Sequence, residues 1–195
     1  MDELLKEIEK YAEEKNVPIM QKKGIDFLCK IIDKKGYKNI LEIGTAIGYS
    51  SIKMALVDKD INITTIEKDE ERYMLALKNI KKAKLDKRIN VIFSDAIDVS
   101  LDDKYDLIFI DAAKGQYIKF FDKFKNNLAD DGVIISDNMS FHGLVETDER
   151  IKSRNLRGLV NRIKRYIEFL ETNTEFKTKF YKVGDGIAVS VKKEK

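Results

Sequence analysis

Asp111, Asp137 and Asn138 are the residues of this chain whose types and positions most directly imply chemistry. Each falls where an apolar run ends: Asp111 closes Tyr105 to Ile110, and Asp137 with Asn138 closes the run that starts at Gly132. All three are oxygen ligands, with no thiol or imidazole beside them. Such a set favours a hard cation, Mg2+ ahead of Mn2+ or Ca2+, that keeps positions open for water and substrate. Lys114 follows three residues after Asp111, where the chain leaves the strand and a long side chain can reach back. A neighbouring cation and partial desolvation both disfavour an ammonium, which would let Lys114 accept a proton. The plainer alternative is an ordinary surface lysine.

A second constellation lies earlier, in Asn39-Ile-Leu-Glu-Ile-Gly-Thr-Ala-Ile-Gly-Tyr-Ser50, a buried strand that runs through a glycine turn into a helix. In an open α/β sheet this is where a nucleotide-like cofactor is received. Gly44 and Gly48 stand where a side chain would hold the backbone away from a ligand, and Thr45, Tyr49 and Ser50 offer hydroxyls near the new helix. The spacing Glu42-x-Gly44-x-x-x-Gly48 matches neither a Walker loop nor a G-x-G-x-x-G dinucleotide fingerprint. Glu42 would repel a pyrophosphate and suits a cationic ligand, which makes S-adenosylmethionine the leading cofactor. Glu67, 23 positions after Gly44, ends the next strand where an acid can take both ribose hydroxyls. Asp95, with Ala96 beside it, ends the third and can receive an adenine amino group. Any one of these acids could be a turn or helix cap, but their fall at one edge is hard to assign to capping.

The elements that must position these groups alternate. Helix 50–57, strand 61–67, helix 70–83, strand 89–93, strand 105–111, helix 116–128 and strand 132–137 follow the first strand. This order implies a parallel sheet covered on both faces. A basic helix near 153–172 leads to strands 176–183 and 187–192 around Gly184-Asp185-Gly186, a hairpin that must bring one antiparallel strand into the sheet.

With 195 residues, 43% of them hydrophobic, one domain spanning 1–195 is the default. The sole proline, Pro18, separates two N-terminal helices within 1–35, placed over the cofactor and substrate side. The amphipathic start, Met1 to Glu14, is no signal peptide, and no apolar run is long enough to span a bilayer, so a cytoplasmic protein is expected. Cys29, the only cysteine, reads as a buried structural thiol. The lone histidine, His142, is given no catalytic role. Net charge is +3, yet residues 150–165 hold seven basic side chains and no acid. Arg154, Arg157, Arg162 and Lys164 there are candidates to meet RNA phosphates, against the alternative of a solvated helix face.

Asp111-Ala-Ala-Lys114-Gly-Gln-Tyr117, Asp137-Asn138 and Leu41-Glu-Ile-Gly-Thr-Ala-Ile-Gly-Tyr-Ser50 together resemble the cation-dependent class I O-methyltransferases related to catechol and caffeoyl-CoA O-methyltransferases, over nearly the whole chain. The resemblance implies a Rossmann-like fold with a mostly parallel seven-stranded sheet. It implies metal ligands at Asp111, Asp137 and Asn138, a proton-accepting Lys114, and cofactor contacts at Met20, Glu42, Ser50, Glu67, Asp95 and Ala96, with Gly44 and Asp111 in the same cofactor wall. Within the family the likeness is nearest to the bacterial branch that methylates 5-hydroxyuridine at the tRNA wobble position. That implies a tRNA anticodon loop as substrate and a homodimer. Residues 97–104 are short for the family, and Asp130-Asp131-Gly132 replaces a more glycine-rich turn. A small acceptor carrying two adjacent oxygens satisfies the same metal geometry, and a non-catalytic RNA-binding protein retaining the fold is the reading from another class.

Overall fold

In the computed structural model, residues 1–112, 114–140, 143–145 and 153–194 are described, and the side chain of Lys114 lies outside that description. Two helices, α1 (Asp2–Lys15) and α2 (Lys22–Lys35), precede β1 (Asn39–Ile43) and α3 (Tyr49–Ala55). Then come β2 (Asn62–Glu67), α4 (Glu70–Lys82), β3 (Ile89–Phe93), β4 (Tyr105–Ile110), α5 (Tyr117–Phe124), β5 (Leu128–Ser136), α6 (Arg154–Glu171), β6 (Phe176–Tyr181) and β7 (Ile187–Lys192). The seven strands form one sheet in the order β3-β2-β1-β4-β5-β7-β6. β1 to β5 pair in parallel, and β7 pairs antiparallel with both β5 and β6. The antiparallel hairpin strand expected from the sequence is therefore present, and the fold is the Rossmann-like one.

Successive side chains of a strand face opposite sides, so a sheet covered twice needs apolar residues at nearly every position. β4 shows this: Leu107 and Phe109 pack with helices α1 to α4, while Ile108 and Ile110 pack with α5 and α6. The helix boundaries follow local chemistry. Asp69 caps α4 by accepting the Arg72 N–H at 2.9 Å, with Glu70 and Glu71 at the positive end of the helix and Lys81 and Lys82 at the negative end. Ser153 caps α6 by accepting the Leu156 N–H at 3.3 Å. α1 and α2 end in left-handed residues, Asn16 and Gly36.

Two elements differ from the sequence expectation. The predicted helix 116–128 is an α-helix only over Tyr117–Phe124, with a 3-10 turn on either side, Lys114–Gln116 and Lys125–Asn127. The Asn127 side-chain amide donates to the carbonyls of Leu101 (2.7 Å) and Asp103 (3.1 Å), which pins the chain and turns it early into β5. β5 begins at Leu128, four residues before the expected start, because the ladder with β4 shifts register between the Tyr105↔Leu128 and Leu107↔Val133 pairs. Gly132 sits in this irregularity, where a Cβ would meet the Asp106 carbonyl at 3.0 Å.

The functional edge is built by backbone pairing that runs one residue past the strands. The Gly44 N–H reaches the Ile66 carbonyl (3.0 Å), Asp111 N–H the Ile43 carbonyl (3.0 Å), Asp137 N–H the Ile110 carbonyl (3.2 Å) and Ser94 N–H the Glu67 carbonyl (3.0 Å). This keeps the exits of five strands in register at the point where the sheet order reverses, the crevice that α/β proteins use for ligands.

The glycine of the first turn has a different reason from the one its sequence suggests. At Gly44, φ is +100° and a Cβ would lie 2.1 Å from the Asp111 carbonyl oxygen, so the side chain is excluded by the neighbouring strand exit rather than by a ligand. At Gly48 (φ +84°) the near atoms belong to Ala76 of α4. Gly44→Ala is expected to lower unfolding stability by more than about 3 kcal/mol, the combined cost of the left-handed conformation and the overlap. Gly36→Ala, at φ +67° with nothing within 4 Å, is expected to cost about 1 kcal/mol. Urea denaturation of the two variants measures the difference.

Candidate active site

A cleft of about 600 Å³ opens at this edge. Its wall includes Met20, Gly44, Ser50, Glu67, Asp95, Ala96, Asp111, Asp137 and Asn138, so nine of the sequence-predicted site residues meet in one cavity. Helices α1 and α2 do not line it. The segment between them does, through Pro18 to Gln21.

At one end the Asn138 amide lies between two carboxylates, its Nδ2 donating to Asp111 Oδ1 at 3.3 Å and to Asp137 Oδ2 at 3.1 Å. Turning the amide over presents Oδ1 in the same place and brings three oxygens together, a set that fits a hard divalent cation. Among the described residues no three His, Cys, Asp or Glu side chains form a metal cluster, so the set reaches three only through this amide. Asn138 holds a left-handed backbone, φ 65°, the kind of local strain that persists when the surroundings impose it. The layer beneath is aromatic. The buried Tyr117 hydroxyl donates to the Asp137 carbonyl at 3.4 Å, Tyr166 shares a 2.7 Å hydrogen bond with Ser136, and the two rings meet edge-on at 5.2 Å. Burial first, then the charges of Asp111 and Asp137, push the Tyr117 phenol well above its ordinary range, so it stays protonated.

In the middle of the cleft, Glu67 gathers backbone donors. Its Oε2 accepts the Ala46 N–H at 2.8 Å, and Oε1 accepts those of Lys68 and Asp69, each at 2.9 Å. The glycine turn is thereby tied to the exit of β2. Asp95 accepts the Ile97 N–H at 3.1 Å and faces Lys68 Nζ at 3.3 Å. The Ile97 N–H foremost, and the Lys68 ammonium with it, hold the Asp95 carboxyl below its usual range.

Glu42 departs from the expected direct contact with a cationic ligand. It is fully buried beneath the turn, outside the cleft wall, and accepts hydrogen bonds from Ser50, Ser51 and Thr65, the last at 2.6 Å. Thr65 in turn bonds Thr45 at 2.6 Å. This carboxylate holds the start of α3 against β1 and β2, and its influence on a ligand passes through Ser50. Its pairing is with neutral hydroxyls, so burial dominates and pushes its pKa up to about 7, helped by the charge of Asp111.

Lys114 opens the 3-10 turn three residues beyond Asp111, as the sequence places it. Arg154, Arg157, Arg162 and Lys164 are exposed on α6, opposite the buried stripe of Val160, Ile163, Tyr166 and Leu170. Arg162 lies over the turn, with Cδ 3.4 Å from the position of a Cβ on Gly115. His142, Arg150 and Lys152 fall outside the described residues. Cys29 donates to the Lys53 carbonyl at 3.7 Å, and burial raises its thiol pKa to about 11, in keeping with a structural role. Tyr49, singled out for its hydroxyl, lines the wall but donates that hydroxyl to Glu9 at 2.5 Å, while sequence reasoning missed Arg72 and Asp185 as wall residues. Asp185 was read only as part of a turn, although two bracketing glycines signalled a tight approach.

A Rossmann-like sheet with a terminal antiparallel strand, a turn between β1 and α3 and acids at successive strand exits is the architecture of the class I methyltransferases. The chain belongs to the O-methyltransferase family, whose model matches residues 1–193. A caffeoyl-CoA O-methyltransferase-like protein of Staphylococcus aureus has a similar solved structure, with TM-score 0.93 and 36% identity, over 97% of this chain and 92% of that one. The O-methyltransferase of Bacillus cereus, solved with SAH, gives TM-score 0.83 and 27% identity over 99% and 92%. The caffeoyl-CoA O-methyltransferase of Populus kitakamiensis is 28% identical over 89% of this chain and 77% of its own length. Among the described residues no helix is long and apolar enough to cross a membrane.

A free glutamate ionises near 4.5 and the folded Glu42 near 7, so between those values the folded state holds the extra proton. The contribution of Glu42 to stability is therefore complete below about pH 4.5 and declines as pH rises to about 7. Glu42→Gln is expected to flatten this part of the curve, read as denaturation midpoint against pH, and to match or exceed the parent at pH 8.

Proposed function

We propose that the protein transfers a methyl group from S-adenosylmethionine to one of two adjacent oxygens on a small catechol-like or hydroxycinnamoyl acceptor, with a divalent cation at Asp111, Asp137 and Asn138. The observation that carries this reading is the placing of the Asn138 amide within 3.3 Å of both carboxylates, at the end of a cleft large enough for the cofactor. The names of the relatives support a small acceptor.

Bound there, the cation supplies Lewis-acid polarisation that lowers the pKa of an acceptor hydroxyl. Lys114 takes the hydroxyl proton on Nζ. Glu67 orients the ribose diol, Asp95 and Ala96 the adenine edge, and Ser50, held by Glu42, the amino-acid end with Met20. Fixing donor and acceptor in line supplies most of the acceleration, since alignment of two bound partners removes up to about 7–11 kcal/mol of barrier. Met20, the buried residue of the Pro18 to Gln21 segment, gives this end of the wall an apolar surface.

A second reading, tRNA carrying 5-hydroxyuridine, rests on the exposed basic side of α6 and on Arg162 beside the turn that holds Lys114. A single base splayed from an RNA loop offers the same pair of adjacent oxygens.

Methyl-labelled cofactor and Mg2+, offered with catechol, with caffeoyl-CoA and with tRNA containing 5-hydroxyuridine, decide between them. Label in a small-molecule product is expected, lost with a chelator and with Asp137→Ala, and reduced roughly 10²–10⁴-fold by Lys114→Ala. Unchanged activity of both variants on every acceptor would sink the mechanism. If label enters 5-methoxyuridine instead, Arg154→Glu, Arg157→Glu and Lys164→Glu together are expected to raise KM for RNA and to flatten its salt dependence, with catechol turnover unaltered.

A further inference from the structure

Helix α4 turns large apolar side chains toward solvent. Ala76 and Ile80 are buried against the sheet, whereas Met74 is 59% exposed and Leu77 37%. Beside them Phe93, 50% exposed at the end of the edge strand β3, packs its ring against Tyr73 with the centroids 5.0 Å apart. Apolar residues scattered singly over a surface need no partner, but a cluster of them at one sheet edge marks a contact surface.

The charges around the cluster identify what covers it. Glu70, Met74, Leu77 and Lys81 succeed one another at intervals of four, three and four residues, the spacing that keeps one helical face toward a neighbouring helix. Glu71 and Lys78, seven residues apart, share one flank of that face. Read backwards, the stripe has the same shape with the signs of its ends exchanged. A two-fold axis between Leu75 and Ala76 therefore lays α4 antiparallel on its own copy, with Met74 against the partner's Leu77, Glu70 against the partner's Lys81 and Glu71 beside the partner's Lys78.

The four charges are available for this. Among the described residues none of the side chains of Glu70, Glu71, Lys78 and Lys81 makes an ion pair or hydrogen bond within the chain. The other charges of the helix are placed elsewhere: Lys82 pairs with Glu7 of α1 at 3.4 Å, and Arg72, on the opposite side of the helix, lines the cleft. Helix polarity alone accounts for acids in the first turn and bases in the last, but it gives no reason for exposed Met74 and Leu77 between them.

We propose that α4 and the adjoining Phe93 form a self-complementary interface through which two copies of this chain pair about a two-fold axis. The pairing uses the side of α4 turned away from the cleft, so both clefts stay open, and it does not depend on which acceptor is methylated.

Sedimentation equilibrium of the full chain tests it. A mass of twice 22.6 kDa is expected at micromolar concentration. Leu77→Asp is expected to raise the dimer dissociation constant about a hundredfold, because symmetry places the new charge in the apolar centre twice. Glu70→Lys and Lys81→Glu are each expected to raise it about tenfold, since each turns two attractive contacts repulsive. The double variant exchanges the sign of both partners and is expected to return to within about threefold of the parent. All three positions are exposed, so the far-UV circular dichroism spectrum of every variant is expected to match the parent. A parent that stays monomeric overturns the proposal and leaves the stripe to a partner of different sequence. A dimer whose dissociation constant ignores Leu77→Asp, or a double reversal no tighter than either single one, overturns it as well and puts the contact elsewhere on the chain.

Discussion

The whole site depends on how closely the exit of β1 approaches the exit of β4. At Gly44 the chain passes so near the Asp111 carbonyl that no Cβ fits between them. That approach lets the hydrogen-bond ladder run one residue beyond the strands, and the extra rung sets the height at which Asp111 leaves the sheet. Asp137 is fixed in the same way against Ile110, and Asn138 follows one residue later. The convergence of the amide and the two carboxylates is thus a backbone result before it is a side-chain one.

Beneath this edge the protein keeps a carboxylate for construction rather than for ligand contact. Glu42 gathers two serines and a threonine, which lock helix α3 onto two strands. Three hydroxyl donors do not fully offset the loss of water, and the raised pKa is the sign of that imbalance. The result is a rigid floor under the cofactor turn whose protonation is coupled to the charge on Asp111. Glu67 does a related task in the open, taking three backbone N–H groups at the rim.

Much of the architecture was legible in the sequence because apolar periodicity and strand-end acids are local signals. The order of elements, the hairpin and the strand limits of Ile89–Phe93 and Ile187–Lys192 follow from them. What the sequence left unread depends on residues far apart in the chain. The early end of α5 is set by Asn127 reaching Leu101 and Asp103, and the reason for Gly44 is Asp111. The position of a carboxylate relative to the cleft is equally invisible to spacing: Glu42 and Glu67 both sit at the first crossover, yet one lies under the floor and the other in the wall. Asp185 escaped notice since a Gly-Asp-Gly triplet reads as an ordinary tight turn.

The backbone at Asn138 narrows which amino acids the position can hold. A left-handed φ of 65° is readily adopted by glycine, asparagine and aspartate and resisted by most other side chains. Glycine would satisfy the backbone and supply no oxygen. Aspartate would supply one but place a third negative charge within reach of Asp111 and Asp137, which a dication no longer neutralises. Asparagine alone of the three combines the permitted conformation with a neutral oxygen donor, so conformational tolerance and charge balance select the same residue independently.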